Sequence, residues 1–101
     1  MTALAIFEVI PLINPAAQQL ANYEIYRAIV PELVARFGGT YIVRGGKGET
    51  LEGSSPWPRW HVIQFGNAEQ IRLFWNSEEY QNLKHLRDGV VSVRAVLVST
   101  D

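Results

Sequence analysis

The 101-residue chain contains no cysteine, which excludes disulfides, zinc-thiolate centres, iron–sulfur clusters and a cysteine nucleophile together. It also lacks a basic excess, because nine Lys and Arg stand against ten Asp and Glu, for a formal net charge of -1. Binding to a nucleic-acid backbone or an anionic membrane draws on such an excess, so neither is expected as a partner. No apolar run approaches the ~18 residues that a membrane span needs. The opening stretch Met1 to Pro11 is apolar but has neither a basic flank nor a small-residue cleavage site, so no leader is expected. A reducing, cytoplasmic setting fits all of this. His61 and His85 are the only imidazoles and have no carboxylate or second histidine at metal spacing, so no metal and no cofactor is expected.

What is present is ordinary globular composition, with 48% hydrophobic and 19% charged residues. That amounts to one domain over 1–101, since a second core would not fit this length. Ala3 to Ile10 is a compact apolar run closed by Pro11, which cannot donate to a ladder, and reads as the first strand. Asn14-Pro15 then suits a helix N-cap with proline at the first helical position. Leu20, Tyr23, Tyr26 or Arg27, Val30, Leu33, Val34 and Phe37 recur at helical spacing up to the Gly38-Gly39 stop. Pro31 inside this pattern predicts a kink or break near Arg27 to Val30.

Thr40 to Arg44 reads as a strand, with Gly45-Gly46-Lys47-Gly48 turning into a short second arm, Glu49 to Glu52. The glycines do not have the order of a phosphate loop and lead into a strand rather than a helix. Gly53 to Arg59 is the most loop-like segment, and Trp60 to Phe65 is the next strand. Asn67 with Gln70 resembles a capping box ahead of a helix from Ala68 to Trp75. Ser77 caps a second short helix carrying Tyr80, Leu83 and Leu86 on one side, which Asp88-Gly89 ends. Val90 to Ser99 is the final strand. The order β-α-β-β-α-β is the ferredoxin-like α+β plan, with one four-stranded antiparallel sheet and its helices on one face.

Strict alternation predicts the two faces of that sheet. Ala5, Phe7, Val9, Tyr41, Val43, Ile63, Phe65, Val93, Ala95 and Leu97 fall on the helix-packed side. Leu4, Ile6, Glu8, Ile42, Arg44, Trp60, Val62, Gln64, Arg94, Val96 and Val98 fall on the other. This second face is too apolar for solvent yet carries charge, and predicts a homodimer formed sheet to sheet.

Arg44 and Arg94 on that mixed face, with Trp60 as an apolar wall and Glu8 and Gln64 beside them, form a candidate pocket for a carboxylate, enolate or phenolate. The competing reading is an internal ion pair of Glu8 with Arg94 or Arg44. Tyr26, His61 and Tyr80 are the candidates for proton transfer. Trp57, Trp60, Trp75 and Tyr80 offer an aromatic cage, set against ordinary aromatic core. Ser54, Ser55 and Ser77 have no histidine in local register, so no serine hydrolase is expected.

Several of these segments, taken in order, resemble a known family. They are Tyr23-x-x-Tyr26-Arg27, Pro31, Phe37-Gly38-Gly39, Tyr41 through Gly46, Leu51-Glu52-Gly53, Arg59, Phe65, and Trp75-Asn76-Ser77-x-x-Tyr80-x-x-Leu83-x-x-x-Arg87. From about Ala3 to Thr100 the chain resembles the uncharacterised domain of unknown function 1330. The resemblance implies a dimeric α/β barrel in which two ferredoxin-like sheets pack together. Relatives in the wider superfamily include cofactor-independent monooxygenases, small-molecule isomerases and haem enzymes, and the shared fold does not choose among them. The chain departs from the pattern in a longer lead over Leu12 to Asn22, and in His61 and Gln64, where an aliphatic residue and a carboxylate are expected. Three function classes follow: an enzyme needing no cofactor, a binding module using the same cleft gated by the Gly53 to Arg59 loop, and a structural dimer with no cleft.

Overall fold

The computed structural model describes residues 2–54 and 58–100. Strands β1 (Ala3–Pro11), β2 (Thr40–Lys47), β3 (Arg59–Phe65) and β4 (Val91–Ser99) form one antiparallel sheet in the order β2-β3-β1-β4. Helix α1 (Ala17–Arg36) joins β1 to β2, while α2 (Ala68–Trp75), α3 (Glu78–Leu83) and a turn of 3-10 helix (Lys84–Arg87) join β3 to β4. This is the ferredoxin-like α+β arrangement.

The core lies between the helices and one sheet face. Ala3, Ala5, Phe7 and Val9 of β1 alternate inward with Ile63 and Phe65 of β3, against Val30, Leu33 and Val34 of α1, Ile71 and Phe74 of α2, and Tyr80 of α3. The small Ala3 and Ala5 leave room for the large rings, and Phe74 lies 5.9 Å from Phe65 and 4.6 Å from Tyr80, centroid to centroid. Close packing of this kind fixes the helices over the sheet.

Local signals set the remaining boundaries. The Asn67 side chain accepts from the Gln70 N–H at 2.9 Å, and the Ser77 hydroxyl accepts from the Tyr80 N–H at 3.1 Å, so both N-caps form as expected. Gln70 does not reach back to Asn67, because its side-chain oxygen accepts from the Gly66 N–H instead.

Four local expectations are corrected. Asn14 is not the cap of α1: it sits at φ 54°, and Ala16 holds the N-cap position, its N–H donating to Gln19 Oε1 at 2.8 Å. Pro31 does not break α1, which runs unbroken for 20 residues. One missing backbone donor is tolerated where Val30, Leu33 and Val34 on both sides of it are buried in the core. The glycines Gly45 and Gly46 do not turn the chain into a second arm, since β2 continues through them to Lys47 and pairs with β3. The pairing shifts register twice, between Tyr41 and Val43 and between Arg44 and Gly46.

Those shifts produce the fourth correction. Val43 pairs with Val62 on the open face, and Arg44 pairs with His61, which stands on the helix side together with its β1 partner Phe7. An inserted residue exchanges the faces of everything beyond it. Arg44 therefore belongs to the helix side of the sheet and not to the open face.

Candidate functional site

A cavity of about 300 Å³ opens between α1, the β2–β3 end of the sheet and α3. Its floor is apolar, made by the buried Phe7, Val30, Ile63, Phe74 and Tyr80. Its walls carry Tyr23, Tyr26, Tyr41 and His61, all half-buried, and the exposed Arg27 and Arg44 stand at its mouth.

Helix spacing delivers one wall. Tyr23, Tyr26, Arg27 and Val30 lie three, four and seven residues apart and share one side of α1. Tyr23 and Tyr26 stack with centroids 6.0 Å apart, and the Arg27 guanidinium lies 5.9 Å from the Tyr23 ring. Arg27 also pairs with Glu24 at 3.2 Å, in the exposed part of the helix. The bulge in β2 delivers the opposite wall. Arg44 lies 5.4 Å from the Tyr41 ring and makes no ion pair among the described residues.

His61 is held from behind. The Gly45 N–H donates to His61 Nδ1 at 3.0 Å, so the neutral ring carries its proton on Nε2. Burial pushes the imidazole below its ordinary pKa, and the Arg44 and Arg27 charges push it the same way. His61 is therefore neutral at pH 7 and acts first as a hydrogen-bond donor. Burial also raises Tyr41 and Tyr23, opposed by the charge of Arg44 at Tyr41 and of Arg27 at Tyr23, so both phenols keep their protons.

The deepest polar group is a phenol pair. Tyr26 Oη and Tyr80 Oη lie 2.9 Å apart, and Arg87 Nη1 donates to both, at 3.3 Å and 3.1 Å. Tyr80 is fully buried, and burial holds its phenol far above the ordinary tyrosine range. Either phenol can donate across this contact; among the described residues the Tyr80 hydroxyl has the Tyr26 oxygen as its one acceptor, since Arg87 only donates, and this favours Tyr80 as the donor. The Tyr26 hydrogen is thereby left to point away from the pair.

The sequence-derived site residues divide between the two sides of the sheet. Tyr26, His61, Tyr80 and Arg44 come together in this cavity. Glu8, Trp60, Gln64 and Arg94 lie on the open face, where Glu8 and Trp60 border a separate shallow hollow beside Gly48 to Glu52. There Arg94 Nε stands 3.7 Å from Glu8 Oε1 across the β1–β4 pair, the ion-paired alternative for these two residues. The aromatic cage does not assemble. Trp60 is on the open face, whereas Trp75 packs against Tyr80 and Phe7 on the helix side, and Trp57 lies outside the described residues.

Tyr23, Arg27, Tyr41 and Arg87 were not legible as site residues from composition or periodicity. A signal was present for the first two: Tyr23 and Tyr26 lie on the inward stripe of α1, where apolar side chains are the norm, and Arg27 flanks it at the exposed edge.

Among curated proteins none matches the chain. Solved structures similar to it include the RPA0582 protein of unknown function from Rhodopseudomonas palustris, with a TM-score of 0.73 at 15% identity over 98% of this chain and 82% of that one. A dimeric ferredoxin-like protein of unknown function from Jannaschia sp. CCS1 aligns with a TM-score of 0.67 at 14% identity, over 99% of this chain and 100% of that one. SnoaB, a cofactor-independent oxygenase from Streptomyces nogalater, aligns with a TM-score of 0.58 at 10% identity, over 100% of this chain and 95% of that one. At these identities the likeness is one of fold. The model of the domain of unknown function DUF1330 matches residues 12–100, and the chain belongs to that family.

Proposed function

We propose that the protein is a homodimer, formed through its open sheet face, that binds a small anionic metabolite with a planar or apolar body in the cavity beside Arg44. The observation that carries the ligand reading is the imbalance of charge around the cavity. Two guanidinium groups stand at its mouth, Arg27 paired with Glu24 and Arg44 with no carboxylate, and no carboxylate lines the cavity among the described residues. A guanidinium takes a carboxylate or enolate in bidentate fashion, and the apolar floor takes the rest of the molecule. About 300 Å³ is at the small end of ligand pockets and suits a metabolite rather than a polymer. Glu8, Trp60, Gln64 and Arg94 then belong to the dimer face. The apolar residues around them, and the dimeric state given for the Jannaschia protein, support that assignment.

A second reading keeps the same ligand and adds turnover without a cofactor, as in an isomerase or oxygenase. The phenol pair under Arg87 favours it, because a positioned hydroxyl beside a bound enolate is suited to proton transfer. The fold shared with SnoaB is compatible with this reading and does not specify it.

The test compares phenylacetate with phenethylamine by isothermal titration calorimetry on the intact protein. These probes share a body and differ in charge. Binding of the acid alone, weakened about ten- to a hundredfold in Arg44→Ala, is the expected result for a lost charge-assisted pair. Equal binding of the amine, or no loss in Arg44→Ala, would remove the anion reading.

A further inference from the structure

The cavity is lined chiefly by hydrogen-bond donors, with the protonated Tyr23 and Tyr41 phenols able both to give and to accept. Arg27 and Arg44 can only donate. His61 has its acceptor nitrogen occupied by the Gly45 N–H and presents Nε2–H. The Gly45 carbonyl is itself engaged by Arg59 Nη1, at 3.4 Å. The Tyr26 oxygen accepts from Arg87 and lies 2.9 Å from the Tyr80 hydroxyl; with Tyr80 as the donor of that contact, Tyr26 keeps one hydrogen to give. A ligand with a single carboxylate answers the arginines and leaves the Tyr26 donor without an acceptor. A ligand that covers this half-buried donor without accepting from it pays for the lost hydration, so the site favours a ligand that supplies a second oxygen.

We propose that the cavity recognises the 2-oxo acid class, a carboxylate with an adjacent carbonyl oxygen on an apolar or aromatic body. In this arrangement Arg44 holds the carboxylate at the mouth, and Tyr26 donates to the carbonyl oxygen further in. Tyr80 and Arg87 are positioning residues. Arg87 donates to both phenols, and with Tyr80 giving its hydrogen to Tyr26 the Tyr26 hydrogen is turned away from the pair, toward the ligand space. Burial grades from the exposed Arg27 and Arg44 through the half-buried Tyr26 to the buried Phe7, Val30, Ile63 and Phe74, the order carboxylate, carbonyl, hydrocarbon.

This proposal rests on the anion reading above, and the experiment separates the two. Benzoylformate has the carbonyl, and phenylacetate has a methylene in its place. Titration of the unmodified protein is expected to give benzoylformate about tenfold tighter binding, the size of one well-made hydrogen bond to a site built for it. Tyr26→Phe is expected to lower benzoylformate affinity to the level of phenylacetate and leave phenylacetate unchanged. Tyr80→Phe is expected to reduce the preference while phenylacetate affinity holds, which a purely structural role for Tyr80 would not do. If Tyr26→Phe fails to fold, the two acids on the unmodified protein still decide. Equal affinities overturn the 2-oxo acid assignment and leave anion binding standing, whereas binding of neither acid overturns both. A preference that survives in folded Tyr26→Phe overturns the role of Tyr26.

Discussion

The Gly45 N–H donates to Nδ1 of His61 across the β2–β3 pair at 3.0 Å, and this one bond determines how the imidazole can act. A ring whose Nδ1 accepts from backbone must lose that bond to become protonated there. Burial and two nearby arginines disfavour the cation further. His61 is therefore a neutral hydrogen-bond donor in the cavity wall, with its Nδ1 lone pair already engaged by Gly45.

The pH dependence follows. The folded-state pKa of His61 lies below its ordinary value of 6.5. The neutral ring favours folding, so its contribution is fully present above the unfolded-state pKa and is lost as pH falls through the folded-state value. An NMR titration is expected to place the His61 midpoint below 6.5 and to move it upward in Arg44→Ala, which removes one of the opposing charges. In His61→Gln, whose side-chain oxygen can still accept from Gly45, the loss of stability on acidification below about pH 6.5 should be smaller. A midpoint at or above the ordinary value would contradict the environment described for this ring.

Arg44 and Arg94 separate the two sides of the sheet. Arg44→Ala removes a cation lying over Tyr41 that has no carboxylate partner among the described residues. Its stability cost is expected to be about 1 kcal/mol or less, and its cost in anion binding large. Arg94→Ala breaks an ion pair with Glu8 whose arginine is mostly exposed in the single chain, a pair of the kind worth about 0–1 kcal/mol. It should leave phenylacetate affinity unchanged. Chemical denaturation and calorimetry on both variants check this, and strong destabilisation by Arg44→Ala would make that residue a structural cation.

Alternation along β1 and β4 was readable in the sequence because neither strand is interrupted: Phe7 and Val9 point inward, while Ile6, Glu8, Arg94 and Val96 point outward. The caps at Asn67 and Ser77 were readable for a similar reason, since a side chain and a backbone N–H a few residues away settle them locally. The side on which Arg44 stands was not. It depends on a register shift between Tyr41 and Val43, a property of two paired strands that period-two reading of one strand cannot detect. Glycines inside a strand pattern do signal a bulge, but Gly45-Gly46 reads equally well as a turn until the partner strand is known. Arg87 illustrates another limit. It reaches Tyr26 across 61 positions of sequence, and no local pattern announces such a contact.

The dimer is tested at the centre of the open face. Ile6 faces Val62 on one neighbouring strand and Val96 on the other, with Ile42, Val96 and Val98 exposed in the single chain. Ile6→Glu places a carboxylate in the middle of this patch, where burial against a second sheet would leave it unpaired. Light scattering with size-exclusion chromatography is expected to show a dimer for the unmodified protein and a monomer for Ile6→Glu, with circular dichroism unchanged. A monomeric unmodified protein would mean that the apolar open face serves some other purpose.

Gly45 is where the local chain geometry and the proposed chemistry meet. It adopts φ 69°, a left-handed conformation that a side chain disfavours by roughly 1–2 kcal/mol. The space is nearly open, since an added Cβ would meet only the His61 ring, at 3.9 Å. Gly45→Ala therefore tests the backbone conformation rather than crowding. Its expected stability cost is about 1–2 kcal/mol, from the positive φ alone. If the strand relaxes to escape that strain, the N–H bond to His61 is lost and the backbone beside Arg44 moves, so phenylacetate affinity should fall with stability. Gly53→Ala is the control: that glycine also has positive φ, but a Cβ there meets nothing within 4 Å and it lies outside the cavity lining. A matching stability loss with no change in binding is expected for Gly53→Ala. Unchanged binding in Gly45→Ala as well would mean that the Gly45 conformation and its bond to His61 do not matter to the anion site.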